Sequence, residues 1–452
     1  MILAPSKKNK TIQLFSFLLL SWILLFAVQI EARSMHKYSI LGSMNPVGSG
    51  ARSLGFGGAF IGVADDATAA SWNPGGEIQL EKSEVSIVHS SQRRKIKLNF
   101  TKTSEASGQY PISLYDINFA SVAYKMFWKD RDFVFSLCFQ NMYDMNKEEH
   151  ALYSFQQTDR YIVQHNTGYI NAVTPSFAFQ LTPEISMGIA MNLFSDDWGS
   201  RWETKVKIQS DSRPYGKEWW SDSQYYNEYQ FKGKNVHIGF LIALSQNLNL
   251  GLVYKSAFTA ELDFKEQFQL TGSHQITPLT IYPEERLDLK MPQSYGMGIA
   301  WRPDYKGLRD SLTLAFDIYR TDWQHYYLKH SDGYEENLLS YDPLSECNTR
   351  PTHQVHIGAE YWYYSNTGKY AIPFRMGAFY DPEPTSSNPD DFWGISLGTG
   401  FLKGSVAFDV AWQFRWGDHV RKTQLFNEDV FQDIRQHTIY CSIIYYFQSN
   451  QK

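Results

Sequence analysis

Two adjacent carboxylates and five further charged side chains are the groups in this sequence whose types and placing suggest joint work. Asp65 and Asp66 lie side by side in "ARSLGFGGAFIGVADDATAASWNP", residues 51–74, a stretch otherwise dominated by glycine, alanine and serine. Asp317, Glu360, Arg375, Asp409 and Arg415 fall in segments of alternating polarity, each on the small, polar side of its segment. Carboxylates and guanidiniums that share an enclosed space make charge-assisted hydrogen bonds. The chemistry expected of them is clamping: a charged ladder along neighbouring strands that shapes a path, or ordinary salt bridging inside a lumen. Asp65 and Asp66 need partners if they are buried. Arg375 and Arg415 are the expected ones, with Arg52 as a local alternative and exposure to water as a third.

Bond-making chemistry has no comparable basis. The sequence holds no GxSxG, HExxH or EF-hand loop. Glycines at 55, 57, 58 and 62 do not complete a GxGxxG, and no GKS or GKT follows them. The three cysteines, Cys138, Cys347 and Cys441, match no zinc or CxxC spacing. His237 and His356 sit on small-residue faces, while His325, His330 and His419 fall in expected loops. A barrel esterase needs a Ser–His pair close in space, which spacing alone does not supply. The expectation is a non-enzyme without catalytic residues, metal or cofactor. A net charge of −5 gives no sign of a nucleic-acid partner.

Aromatic residues make up 16% of the chain, and two groups stand out. "KEWWSDSQYYNEYQF" holds Trp219, Trp220, Tyr225, Tyr226 and Tyr229. "TDWQHYYLKHSDGYEENLLSY" holds Trp323, Tyr326, Tyr327, Leu338 and Leu339. They suit either an interfacial belt or an apolar groove on external loops that captures a hydrophobic molecule.

The elements that must position these groups follow from periodicity. Lys7, Lys8 and Lys10 precede "IQLFSFLLLSWILLFAVQI" and "EARS", which reads as a secretory signal, residues 1–32, cleaved after Ala32. Ile12 to Ile30 is also long enough for a permanent anchor. No second apolar stretch approaches that length. From about Ser83 the chain alternates with period two. In "GSVAFDVAWQFRW" one face is Val406, Phe408, Val410, Trp412, Phe414 and Trp416, and the other is Ser405, Ala407, Asp409, Ala411, Gln413 and Arg415. "VHIGFLIAL" and "ISMGIAMNL" divide in the same way. A face of Gly, Ala and Ser with scattered charges suits a crowded lumen better than bulk water.

Short links at about 127–131, 182–184, 245–247, 303–310, 365–369 and 403–404 alternate with long ones at roughly 91–112, 143–168, 210–225, 270–284, 322–352, 381–391 and 417–435. Six short and seven long links join fourteen strands, with both termini on the short-turn side. The expected fold is all-β: a transmembrane antiparallel barrel of about fourteen strands over 83–447, with a polar tail at 448–452.

Several stretches together resemble the FadL-type transporters of long-chain fatty acids and hydrocarbons. Gly57-Gly58-Ala59, Asp65-Asp66-Ala67 and Asn73-Pro74 are similar to that family's N-terminal hatch. "LKMPQSYGMGIAWRPD", "LTLAFDIYRTDWQHY", "THQVHIGAEYWY" and "IPFRMGAFYDPEP" resemble its barrel strands. The hatch departs at Gly75, where the family usually has alanine. The same stretch is also similar to a fourteen-strand group that includes shuttle barrels for surface protein secretion. The last strand, "HTIYCSIIYYF", resembles the signal read by the barrel insertion machinery.

The resemblance implies a hatch or plug at 33–82 inside the lumen. It also implies residence among outer-membrane lipids of a Gram-negative-type bacterium. The implied task is uptake of a hydrophobic small molecule, which enters an external groove, displaces the hatch and leaves sideways through the wall. A secretion shuttle and a general porin are the two alternatives.

Overall fold

The computed structural model describes residues 45–46, 48–101, 108–155, 158–195, 198–199, 201–212, 219–273, 276–282, 284–303, 311–339, 342–425 and 428–447. The expected signal, the start of the expected hatch, most of the 303–310 link and the polar tail lie outside them.

Among these residues fourteen antiparallel staves form the wall. β1 is Ser83–Phe100 and β2 is Gly108–Trp128. β3 is Arg131–Asp144, continued by Lys147–Phe155; β4 is Thr158–Thr167 followed by Tyr169–Gln180. β5 is Ile185–Ser195 and Trp202–Ser212, and β6 is Trp219–Ser245. β7 comprises Leu248–Lys255 and Phe258–Gly272; β8 comprises Ile276–Ile281, Glu285–Met291 and Ser294–Trp301. β9 is Ser311–Thr321, β10 Thr352–Tyr364 and β11 Ala371–Tyr380. β12 is Trp393–Lys403, β13 Val406–Leu425 and β14 Glu428–Phe447. Each pairs with its sequence neighbour, and β14 returns to β1 from Ser83↔Phe447 to Phe100↔Val430. Closure satisfies backbone groups that lipid cannot. The β2–β3 turn places Lys129 and Asp130 at φ 49° and 60°, the left-handed pair that a two-residue hairpin turn requires.

β6 shows how one strand serves three environments. Its odd-numbered residues face inward throughout. Near the short turns these are Asn235, His237, Gly239 and Leu241; farther along they are Tyr225, Asn227, Tyr229 and Phe231. The outward residues reverse at the same level. Val236, Ile238, Phe240, Ile242 and Leu244 give way to Lys234, Lys232, Gln230, Glu228 and Tyr226. The apolar outward run spans nine residues, roughly 30 Å along the strand, which at a barrel tilt matches an apolar band about 25 Å tall. Beyond it the stave continues as an ordinary water-soluble sheet, greasy inside and polar outside.

The stretches at 91–112, 143–168, 210–225, 270–284 and 417–435, expected as loops, are therefore largely strand among the described residues. Their alternation persists with its polarity reversed, so it does not read as membrane wall.

Before β1 come two short helices, α1 at Ala51–Gly55 and α2 at Ala69–Trp72, and a 3-10 turn at Pro74–Gln79.

Ile443 lies on the outward apolar band at 51% exposure, whereas Gln224 points outward beyond it. Ile443→Lys is expected to lower folding stability in lipid vesicles by about 2–4 kcal/mol, and Gln224→Lys by less than about 0.5 kcal/mol. Urea titrations of the two variants measure the difference.

Candidate functional site

The small inner faces are a seat for backbone. Around Ile61, Asn73 and Phe56 the N-terminal segment runs so close to the wall that neither side has room for a Cβ. One added at Gly57 meets the Ile357 carbonyl oxygen at 2.6 Å, and one at Gly75 meets that of Gly239 at 2.7 Å. On the wall, a Cβ at Gly188 would strike Pro74, one at Gly251 the Ile61 carbonyl, and one at Gly377 the backbone of Gly57. The wall glycines oppose one another across neighbouring strands: Gly188↔Gly239, Gly251↔Gly298 and Gly358↔Gly377. Gly57 and Gly58 also need glycine for their φ of 74° and 76°. Hydrogen bonds fix the contact. Asn73 Nδ2 donates to the Ile61 and Phe240 carbonyls at 2.9 and 3.0 Å, and Ser186 Oγ to the Gly75 carbonyl at 2.7 Å. His356 Nδ1 donates to the Gly57 carbonyl at 2.8 Å. Pro74 opens the 3-10 turn with Asn73 as its cap.

Of the expected partners of Asp65 and Asp66, the local one, Arg52, is the one they meet. Asp65 meets Arg52 and, at 3.0 Å, Arg302 at the foot of β8. Asp66 accepts from the Thr68 backbone at 2.9 Å and hydroxyl at 2.6 Å, with Arg52 at 3.6 Å. Neither touches Arg375 or Arg415, because carboxylates on the wall and the loop already hold those cations. Arg375 pairs with Glu360 at 2.6 Å and Asp409 at 2.5 Å. Arg415 reaches Asp381 and Glu383, both at 3.0 Å, and lies 3.9 Å above the Phe392 ring. Arg52 supplies the link across the lumen, at 2.8 Å from Glu360. Asp317 accepts from the Ile61 backbone N–H at 2.7 Å. The five wall charges thus divide three ways: Glu360, Arg375 and Asp409 form one chain, Asp317 holds the segment backbone, and Arg415 holds the 381–392 loop.

Glu77, missed because nothing in its sequence surroundings marks it, is fully buried and accepts from Ser176 Oγ at 2.5 Å. Burial pushes its carboxyl up to about 7.

The aromatic residues do not form a single external groove. Tyr225 packs on Phe268 inside the sheet, with ring centres 4.6 Å apart; Trp219 and Tyr226 are half-buried and Trp220 is exposed on the same strand. Trp323 and Tyr326 meet edge to face at 5.5 Å. They are 2% and 1% exposed, and Leu338 is buried with them. Tyr327 and Leu339 are half-buried. Large rings that seed a loop's own core cannot also line an open groove.

A cavity of about 150 Å³ lies over the segment. Gly57 and Trp72 of the segment, Arg94 of β1, Met142 and Asp144 of β3 and Arg415 of β13 are among its lining residues. Beside it the wall changes. β2 pairs with β3 only from Trp128↔Arg131 to Phe119↔Gln140, although β2 runs on to Gly108 and stays paired with β1 to its end. Bulges flank the point of parting. Asn118 is the extra residue of β2 opposite Val88/His89, and Met142 that of β3 opposite Ile170/Asn171. A bulge bends its strand and ends pairing. Across the parting, Asn141 Nδ2 donates to Asp116 at 3.2 Å, and Arg94 of β1 reaches past β2 to Asp144 of β3 at 2.5 Å. Sequence periodicity carries no sign of this seam beyond the parity slips at the two bulges.

No family model and no curated protein matches the sequence. Solved structures do match its fold. A Pseudomonas aeruginosa FadL homologue is 15% identical, with 90% of this chain and 99% of that chain covered at a TM-score of 0.58. The P. putida toluene transporter TodX is 13% identical, with 89% and 99% covered at 0.56. The CymD monoaromatic hydrocarbon channel is 14% identical, with 91% and 100% covered at 0.55. At these identities the likeness is one of fold.

Two outcomes test the seat. Gly377→Val should expel the segment locally and raise single-channel conductance severalfold in planar bilayers, whereas Ser405→Val, exposed at a short turn, should not. The raised folded-state pKa of Glu77 means that seating weakens as pH rises from about 4.5 to about 7, by about 3 kcal/mol in all. Glu77→Gln should remove that share of the pH dependence, read as a smaller rise in protease access to residues 51–79 between pH 4 and pH 8 than in the parent protein.

Proposed function

We propose that this protein moves hydrophobic small molecules across a bacterial outer membrane, with residues 33–82 as a plug, 83–447 as the barrel and an exit sideways through the wall. The observation that carries the reading is the juxtaposition of the cavity over the plug with the unpaired seam between β2 and β3. An apolar molecule that slips from the lumen straight into lipid keeps about 0.8 kcal/mol per methylene that a watery channel would forfeit. Ile117 and Tyr115, just beyond the bulges, still point outward and are exposed, which supports a parting within the apolar band.

The cavity lining favours an amphipathic ligand such as a long-chain fatty acid. Trp72, Met142, Phe379 and Tyr440 offer apolar surface, and Gln92, Gln140, Gln436 and Arg415 offer polar contacts. Its 150 Å³ is below the ~300–1,000 Å³ typical of ligand sites. Loading therefore requires the plug to yield, and no covalent step is involved. The likeness in fold to a toluene transporter and a monoaromatic hydrocarbon channel supports the same substrate class. A porin reading fits poorly with a lumen whose wall glycines are already occupied by backbone, and nothing in the geometry favours a secretion shuttle.

Closing the seam tests the route. Asp116→Cys with Asn141→Cys, in a background where Cys347 and Cys441 are serine, should lose at least tenfold of labelled oleate uptake into proteoliposomes when bridged by a short bismaleimide. The unbridged pair should transport normally. Unimpaired uptake with the bridge in place would sink the lateral exit.

A further inference from the structure

The wall carries an unexplained charge pattern where β1, β14 and β13 meet. On the outward face of β1, Val85, Ile87, His89 and Ser91 are followed by Arg93, Lys95 and Lys97, the three cations all exposed. The register sets Arg93 directly opposite His437 and Lys95 opposite Arg435. Like charges facing each other across a sheet are destabilising, so the Lys95–Arg435 rung, with Arg93 on the rung beside it, needs a counter-charge. The protein supplies only part of it. Arg435 meets Asp418 at 2.5 Å, and Lys97 lies 3.8 Å from Asp433. Arg93 and Lys95 have no ion-pair or side-chain hydrogen-bond partner among the described residues, and β2 sets only Ser113 and Pro111 beside them.

The height of these cations identifies what faces them. Arg93 is ten residues from Ser83 at the short-turn end of β1; at about 3.3 Å per residue and a tilt near 40°, that is about 25 Å, the height of the apolar band. Here β1 reverses its polarity as β6 does, with Ile96, Leu98 and Phe100 buried inward just beyond. β13, on the far side of β14, carries an aromatic row at the same level. Trp412, Phe414 and Trp416 stack at 6.3 and 5.3 Å between ring centres, and His437 lies on Phe414 at 4.7 Å. Such a row marks the lipid headgroup level.

We infer that Arg93 and Lys95, supported by His437 and Arg435, form a binding site on the outer wall for the phosphate groups of an outer-leaflet glycolipid. The acyl chains would lie on Ile439, Ile443 and Ile87 below. The site has no part in ligand passage, and it rests on the membrane placement given above.

The test uses the full folded chain in detergent micelles, followed by native mass spectrometry. The probes are bisphosphorylated lipid A, the same lipid dephosphorylated, phosphatidylethanolamine and sodium phosphate. Bisphosphorylated lipid A should be retained at least tenfold better than either other lipid. R93Q/K95Q should cut that preference to within twofold, while R93K/K95R keeps it; heat-modifiable migration on gels confirms that both variants fold. A preference unchanged in R93Q/K95Q, or no preference in the parent protein, overturns the site. Full competition by sodium phosphate at equal concentration overturns its assignment to a lipid. Oleate uptake by R93Q/K95Q in phosphatidylethanolamine vesicles should match the parent protein. Loss of phosphate preference thus bears on this site alone, and loss of uptake on the transport reading alone.

Discussion

A β-strand has two faces and a period of two, and this chain must satisfy lipid, lumen and water with that single device. Every stave that leaves the membrane has to exchange the character of its faces at one level. β6 does so between Val236 and Lys234 without a break in pairing, and β1 does so near Arg93. The height of the wall, its aromatic row and the folded outer extension all follow from where that exchange occurs. Beyond it, Tyr229 stacks on Trp202 at 4.1 Å and Phe194 on Phe258 at 5.1 Å, as in the core of a soluble sheet. The extension can therefore hold its shape where no lipid presses on it.

Within the band, the inner face meets backbone. Three opposed glycine pairs let the segment lie against the wall at distances no other residue permits. Close approach alone would leave buried amides and carbonyls without partners, and the donors and acceptors that meet them come from both sides: Asn73 and Asp317, Ser186 and His356. Arg52 then connects the segment's own carboxylate, Asp65, to the wall's Glu360. Buried ion pairs of this kind add little net stability over an apolar filling, yet losing one partner is costly. Their effect is to fix one position for the segment and to penalise all others.

The same chemistry explains how the wall can part between β2 and β3. Ladder hydrogen bonds cannot be abandoned inside lipid without replacement, and two bulges at matching heights shift β2 and β3 apart while Asp116, Asn141, Arg94 and Asp144 take over part of the bonding. Asp116 also accepts from the Ile117 backbone at 2.7 Å, covering a group that β3 no longer meets. A gap bridged by side chains opens more readily than a gap in a regular ladder, because separate side-chain contacts yield instead of a cooperative row.

Alternation and link spacing determined the barrel, its fourteen strands and the side on which its termini lie, because period two and turn length are local properties. They also determined which charged residues look inward. Partner choice was decided only in three dimensions. Arg375 and Arg415 are correctly inward from their parity, yet their counter-charges, Glu360 with Asp409 and Asp381 with Glu383, come from other strands or from a loop. The aromatic clusters misled for a related reason: composition records that Trp323 and Tyr326 are large and apolar, but only packing decides whether they line a surface or fill a core. The seam left only two parity slips in the sequence, since a bulge is a single residue's slip in register and register is a relation between two strands. Sequence fixes what each residue can do locally; which of those capacities meet is set by the closure of the wall.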